Sequence, residues 1–196
     1  LTVLVGAQGT GKSIALEWLK TAVDGKQLVT ALEEAGYSAR EPKELIDLIF
    51  GVGMGPALRP ESVIRFDGKP VNLSALRKSR QVKERVFFIP AHRALLLSDG
   101  WAAPFQRLSP DTPIVARLFS QNLYDRFSRK QIGPLFPLGR VLKNEYRNLI
   151  DGAVFHGGIV DLQERERKKG LRLTHGESSL PFMTWTAGQR EFTPLL

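Results

Sequence analysis

An α/β fold with an inserted helical subdomain and a β-hairpin region is what this sequence predicts, on three observations. The first is the opening stretch, where an apolar run from Leu1 to Val5 meets a glycine-rich loop from Gly6 to Gly11 and then a segment with helical spacing. The second is another apolar run, Val86-Phe87-Phe88-Ile89-Pro90, which fits a buried strand. The third is an alternating region after Gly157-Gly158, in which Ile159 to Glu164 and Leu171 to Thr174 are joined across Arg167-Lys168-Lys169-Gly170 as a hairpin.

Each element has a local reason. Leu1, Val3, Leu4 and Val5 read as a buried parallel strand, and Ile14, Leu16, Trp18 and Leu19 follow in a helical pattern closed by Asp24-Gly25. Gln27 to Gly36 also reads as helical, and Pro42 to Phe50 carries Leu45, Ile46, Leu48 and Ile49 before the stop at Gly51-Val52-Gly53. Val63 to Phe66 and Val71 to Leu73 flank Asp67-Gly68 as a short hairpin. Two longer helices follow, one after Asp111-Thr112-Pro113 with Val115, Leu118, Phe119, Leu123 and Phe127 on its stripe, the other over Leu138 to Ile150 with Val141, Leu142, Tyr146 and Leu149. Core packing is the reading of both stripes. With no strand expected between Ile89 and Asp151, the organisation becomes 1–95 as the α/β part, 96–152 as a helical insertion and 153–196 as the hairpin and closing motif.

Composition bounds the function. The chain has 196 residues, 42% hydrophobic and 24% charged, an ordinary globular balance with enough length for a core. It contains no cysteine, which removes disulfide frameworks and thiolate metal sites. No apolar stretch approaches the roughly 20 residues of a membrane span, so the expectation is a soluble cytoplasmic protein without a membrane partner. A net charge of +8 favours polyanions without deciding for them, and a solvated helix face explains the basic stretch Arg77 to Arg85 adequately, with nucleic-acid contact as the alternative.

The chemistry lies at the two ends. Gly6-Ala7-Gln8-Gly9-Thr10-Gly11-Lys12-Ser13 matches G-x-x-x-x-G-K-[ST], the phosphate-binding loop. Gly6, Gly9 and Gly11 let the backbone wrap an anion, with Gln8 and Thr10 between them. Lys12 supplies an ammonium for the β- and γ-phosphates, and the Ser13 hydroxyl is placed to ligate Mg²⁺. ATP and Mg²⁺ are the ligands this motif implies. Near the end, Thr186-Ala187-Gly188-Gln189 resembles the signature sequence of ABC-type ATPases, with Thr186 in the serine position and Ala187 in that of the first glycine.

Taken with Phe87 to Arg93, the hairpin and the terminal run to Leu196, these motifs resemble the first part of an ABC-type head of the AAA-family ATPases related to SMC, DNA-repair and OLD proteins. The resemblance implies a P-loop NTPase fold and an ATPase in which two heads share ATP. The phosphate loop of one copy and Thr186, Ala187, Gly188 and Gln189 of the other would face the same nucleotide. It also implies homodimerisation, a role in DNA repair or antiphage defence, and DNA, a nuclease or an effector protein as further partners. The acidic Walker B strand with its catalytic Glu is expected beyond Leu196, because Asp47, Asp67 and Asp161 each lack its context; the catalytic residue is therefore not in this chain. Pro194 departs from the family pattern by interrupting the signature helix. Gln81 and Gln106 are weak choices for the glutamine that touches Mg²⁺, as His92 and Arg93 are for a ligand site. Two rivals remain: a small-molecule or nucleotide kinase using arginines such as Arg126 and Arg129, and a nucleotide-gated binding module that does not hydrolyse.

Overall fold

The longest element, α1 (Lys12–Glu34), is a 23-residue helix that leaves helical geometry at one residue, Asp24, with φ −115° and ψ 20°. The two helical segments expected on either side of Asp24-Gly25 are thus one helix with a kink. The cause is the Asp24 carboxylate, which accepts hydrogen bonds from the main-chain N–H of Arg85 and Val86 at 2.8–3.1 Å. The computed structural model describes residues 2–59, 61–78, 83–98, 100–136, 143–165 and 167–196. Among them the chain is mixed α/β, with five α-helices and small antiparallel sheets. It divides into two compact units, Leu1–Pro90 with Phe105–Phe119 and Ala91–Pro104 with Ser120–Leu196.

In the first unit the second half of α1 packs Leu28, Val29 and Leu32 against Leu45, Ile46, Ile49 and Phe50 of α2 (Pro42–Phe50), with Leu73, Phe105, Ile114 and Val115 completing the core. Pro42 occupies the first turn of α2, and the side chain of Glu44 reaches back to the N–H of Glu41 as a capping box. Gly51 ends that helix at φ 115°, a conformation only glycine adopts easily. The expected hairpin is present but short: β1 (Arg65–Phe66) pairs with β2 (Lys69–Pro70) across Asp67 and Gly68.

The second unit holds β3 (Leu97–Ser98), β4 (Trp101–Ala102), and the later part of α3 (Ile114–Arg129), against which Trp101 packs through Tyr124 and Phe127. Its main sheet is antiparallel, in the order β5 (Gly133–Phe136), β6 (Ile159–Arg165), β7 (Lys168–His175) and β8 (Ser178–Pro181). Register explains its core, since Val160 faces Leu173 and Leu162 faces Leu171, and all four are buried. Between β5 and β6 run α4 (Asn144–Ile150) and a π turn, Asp151–Phe155.

Three expectations change. Val3, Leu4 and Val5 belong to no strand and are exposed, and Phe87 to Ile89 likewise pair with nothing regular. A strand needs a neighbour to complete its ladder, and no described residue supplies one there. Strands β3, β4 and β5 do occur between Ile89 and Asp151. The last long helix shrinks to α4, which buries none of its residues; Tyr146 and Leu149 are exposed, while Leu138, Val141 and Leu142 lie outside the described residues.

Candidate functional site

Residues 2–7 lead without regular structure into a turn over 8–10, and Gly11 then caps α1. Gly9 and Gly11 stand at φ 80° and 79°, the left-handed conformation the glycine positions predict. A Cβ added at either would meet nothing within 4 Å, so backbone conformation and not space is what favours glycine there. Lys12 folds back over the loop. Its Nζ donates to the carbonyl oxygens of Gly6 at 2.9 Å and Ala7 at 2.6 Å, and to Thr10 Oγ1 at 3.3 Å, while Thr10 Oγ1 donates to Ala7 O at 2.8 Å.

Gly11 offers no side chain as a cap, and no acidic residue sits in the first turn. The first intrahelical bond runs from the N–H of Ala15 to Gly11 O at 2.9 Å, which leaves the preceding amides pointing outward with the positive end of the dipole. Ser13 is exposed, and its hydroxyl has no partner among the described residues. Glycines in αL, an ammonium over the loop, free amides and a free hydroxyl form a cradle that suits a polyphosphate with its cation: the amides and Lys12 would hold phosphate oxygens, and Ser13 the Mg²⁺.

The helix behind this loop is inverted for its first three turns. Glu17, Lys20, Thr21 and Asp24 are buried, while Ile14, Leu16 and Leu19 are about 40% exposed. Lys20 Nζ is the hub of the buried side, donating to Asp24 Oδ2 at 2.9 Å, Glu84 Oε1 at 2.7 Å, Gln27 Oε1 at 3.3 Å and Val86 O at 2.5 Å. Burial without a compensating partner pushes the Glu17 carboxyl up to about 7. Sequence reading passed over this network, although the i, i+4 spacing of Lys20 and Asp24 was its visible signal.

Arg117 is a second feature that the periodic pattern concealed. It is fully buried in the first unit, donates from Nη2 to Leu48 O at 2.6 Å, and lies over the rings of Phe105 and Tyr37 at 4.7 and 5.4 Å. Desolvation lowers its pKa.

In the second unit, Thr186 is the N-cap of α5 (Ala187–Phe192). Its Oγ1 accepts from the N–H of Gln189 at 3.3 Å, Gln189 Oε1 accepts from the N–H of Thr186 at 3.0 Å, and Gln189 Nε2 donates to Val154 O of the π turn at 3.0 Å. Gln189 is therefore an internal brace, whereas Thr186, Ala187 and Gly188 are exposed. The helix stops at Phe192 and gives way to a 3-10 turn containing Pro194, the interruption expected of that proline. Ala187 and Arg190 also line a recess of about 360 Å³ with Leu95, Leu97, Phe182 and Met183.

The remaining residues take ordinary places. His92 caps the 3-10 turn Arg93–Leu96, and Gln106, Arg126 and Arg129 are exposed; Gln81 lies outside the described residues. Asp47 accepts from the N–H of Gly55 at 2.6 Å, Asp67 sits in a turn at φ 51°, and Asp161 accepts from Thr174 Oγ1 at 3.0 Å. Among the described residues, no helix is long and apolar enough to cross a membrane. No protein-family model, curated protein or solved structure matches this chain.

Proposed function

We propose that Gly6 to Ser13 bind the phosphates of Mg-ATP, and that the chain is part of an ATPase head of the ABC type its two motifs resemble. The observation that carries this reading is the loop with left-handed Gly9 and Gly11, closed by Lys12 at the start of a 23-residue helix. An ammonium has three donors, and Lys12 spends all three on its own loop. A phosphate oxygen would replace the longest of these bonds, to Thr10 Oγ1, and leave the carbonyl contacts that set the loop's curvature. The bound Mg²⁺ neutralises phosphate charge, and Ser13 would orient it.

The second motif supports a role in trans. Thr186 Oγ1 already accepts a cap bond, so its O–H remains available to donate to the γ-phosphate of a neighbouring copy. Exposed Gly188 allows close approach, with open space where its Cβ would be. The helix that follows is less than two turns long, so its dipole adds little there. Attack on ATP requires a group that orients water, and no residue of this loop does so. Hydrolysis by this chain alone is expected to be very slow.

Sedimentation with and without Mg-ATP tests the proposal. Wild type should dimerise with the nucleotide, Lys12→Ala should lose both binding and dimerisation, and Gly188→Glu should bind ATP yet stay monomeric. Nucleotide binding with no change of mass would remove the shared-ATP arrangement, and phosphate transfer to a small acceptor that survives Gly188→Glu would favour a kinase. Failure of wild type to bind ATP would overturn the whole reading.

A further inference from the structure

The recess beside α5 is built by the second unit alone, and its lining is part apolar and part charged. Leu97 and Phe182 are buried, whereas Leu95 and Met183 are 82% and 56% exposed. Leu95 belongs to the 3-10 turn Arg93–Leu96 and Met183 to the 3-10 turn Phe182–Thr184. Two turns far apart in sequence thus bring apolar side chains to one opening.

The charged part comes from α5. Arg190 and Glu191 are consecutive there, where successive side chains diverge by about 100°, yet both line this recess. They do not pair with each other, and neither forms an ion pair with a described residue; Asp99, next to the lining residue Ser98, lies outside those. Arg190 Nε is buried without a hydrogen-bond partner. Glu191 Oε2 accepts from the N–H of Ala94 at 3.4 Å, which holds that carboxylate at the recess. A cation and an anion therefore stand apart beside an apolar surface, and neither neutralises the other.

We infer that the recess binds a free α-amino acid with an apolar side chain, such as leucine or methionine. The ligand carboxylate lies on the Arg190 guanidinium, its ammonium on Glu191, and its side chain among Leu95, Leu97, Phe182 and Met183. A guanidinium only donates and matches a planar carboxylate, while a carboxylate only accepts and matches an ammonium. A simple anion would leave Glu191 facing a like charge, and an uncharged apolar ligand would leave both groups unpaired; a zwitterion satisfies the two together. The volume of about 360 Å³ suits a ligand this small, since it falls at the low end of the roughly 300–1,000 Å³ of small-molecule sites. The site is independent of the nucleotide loop.

Isothermal titration calorimetry of the full chain with L-leucine and L-methionine, without nucleotide, tests the inference. Isocaproate keeps the carboxylate and side chain of leucine but lacks the ammonium, and isoamylamine keeps the ammonium but lacks the carboxylate. Each should bind at least about tenfold more weakly than L-leucine, the factor expected for one lost charged hydrogen bond. D-leucine should also bind more weakly, because it cannot present all three groups in the same order. These comparisons need only the wild-type protein, so they stand even where a variant fails to fold. Arg190→Gln should lose the preference for leucine over isoamylamine, and Glu191→Gln the preference for leucine over isocaproate. Lys12→Ala should bind leucine as wild type does, which separates this result from any failure of the ATP reading. No binding of either amino acid at millimolar concentration, analogues that bind as tightly as leucine, or preferences unchanged in both variants would each overturn the inference.

Discussion

Replacing Glu17 with Gln probes the least comfortable group of α1. The residue is 9% exposed, and burial raises its carboxyl pKa from 4.5 to about 7. The folded chain therefore keeps a proton that the unfolded chain has already released across that window. Stability is free of the penalty below about pH 4.5, falls as pH rises toward 7, and levels off above it. At 1.36 kcal/mol per pH unit, the displacement is worth at most about 3 kcal/mol. Glutamine imitates the neutral acid at every pH. Urea denaturation of wild type and Glu17→Gln should accordingly give equal stabilities near pH 4, with the variant ahead by up to about 3 kcal/mol at pH 8. Parallel pH profiles for the two proteins would refute the argument, because they would mean that the carboxylate is hydrated in the folded state.

Two other substitutions test the packing. Lys20→Met should destabilise the chain by about 3–5 kcal/mol in the same denaturation assay, since it leaves the Asp24 carboxylate buried beside only main-chain N–H donors; adding Asp24→Asn should recover part of the loss. Gly51→Ala should cost more than about 2 kcal/mol in thermal unfolding, because its Cβ would lie 2.7 Å from the carbonyl oxygen of Asp111 at a φ of 115°.

Sequence spacing revealed whatever depends on near neighbours. The loop from Gly6 to Ser13 and the stripe of α3 follow from residues within a few positions of one another and stand where the pattern put them; the β6–β7 hairpin pairs the two expected runs, but Lys168, Lys169 and Gly170, expected in its connection, belong to β7 and pair with Arg165, Glu164 and Gln163. Val3 to Val5 and Phe87 to Ile89 carry apolar runs suited to strands, yet a strand also needs a ladder partner, which the run itself cannot specify. Thr186 and Gln189 show a different ambiguity. The spacing T-x-x-Q is that of a capping box as well as of a nucleotide-facing signature, and in the folded chain both side chains serve the cap. Arg117 lies within Ile-Val-Ala-Arg-Leu-Phe, where a cation would ordinarily mark the outer face; its burial depends on Leu48, Tyr37 and Phe105, distant in sequence.

The inverted first turns of α1 also govern how the chain behaves as a solute. Ile14, Leu16 and Leu19 turn oily side chains to water, and Val3 to Val5 do the same from an unpaired stretch of backbone. Such surface adheres to its like, and adding sulfate strengthens the tendency by driving water from apolar contacts. Raising the salt to quench electrostatic contacts would thus encourage clumping at the amino-terminal end, so purification belongs at modest ionic strength with non-ionic detergent at hand.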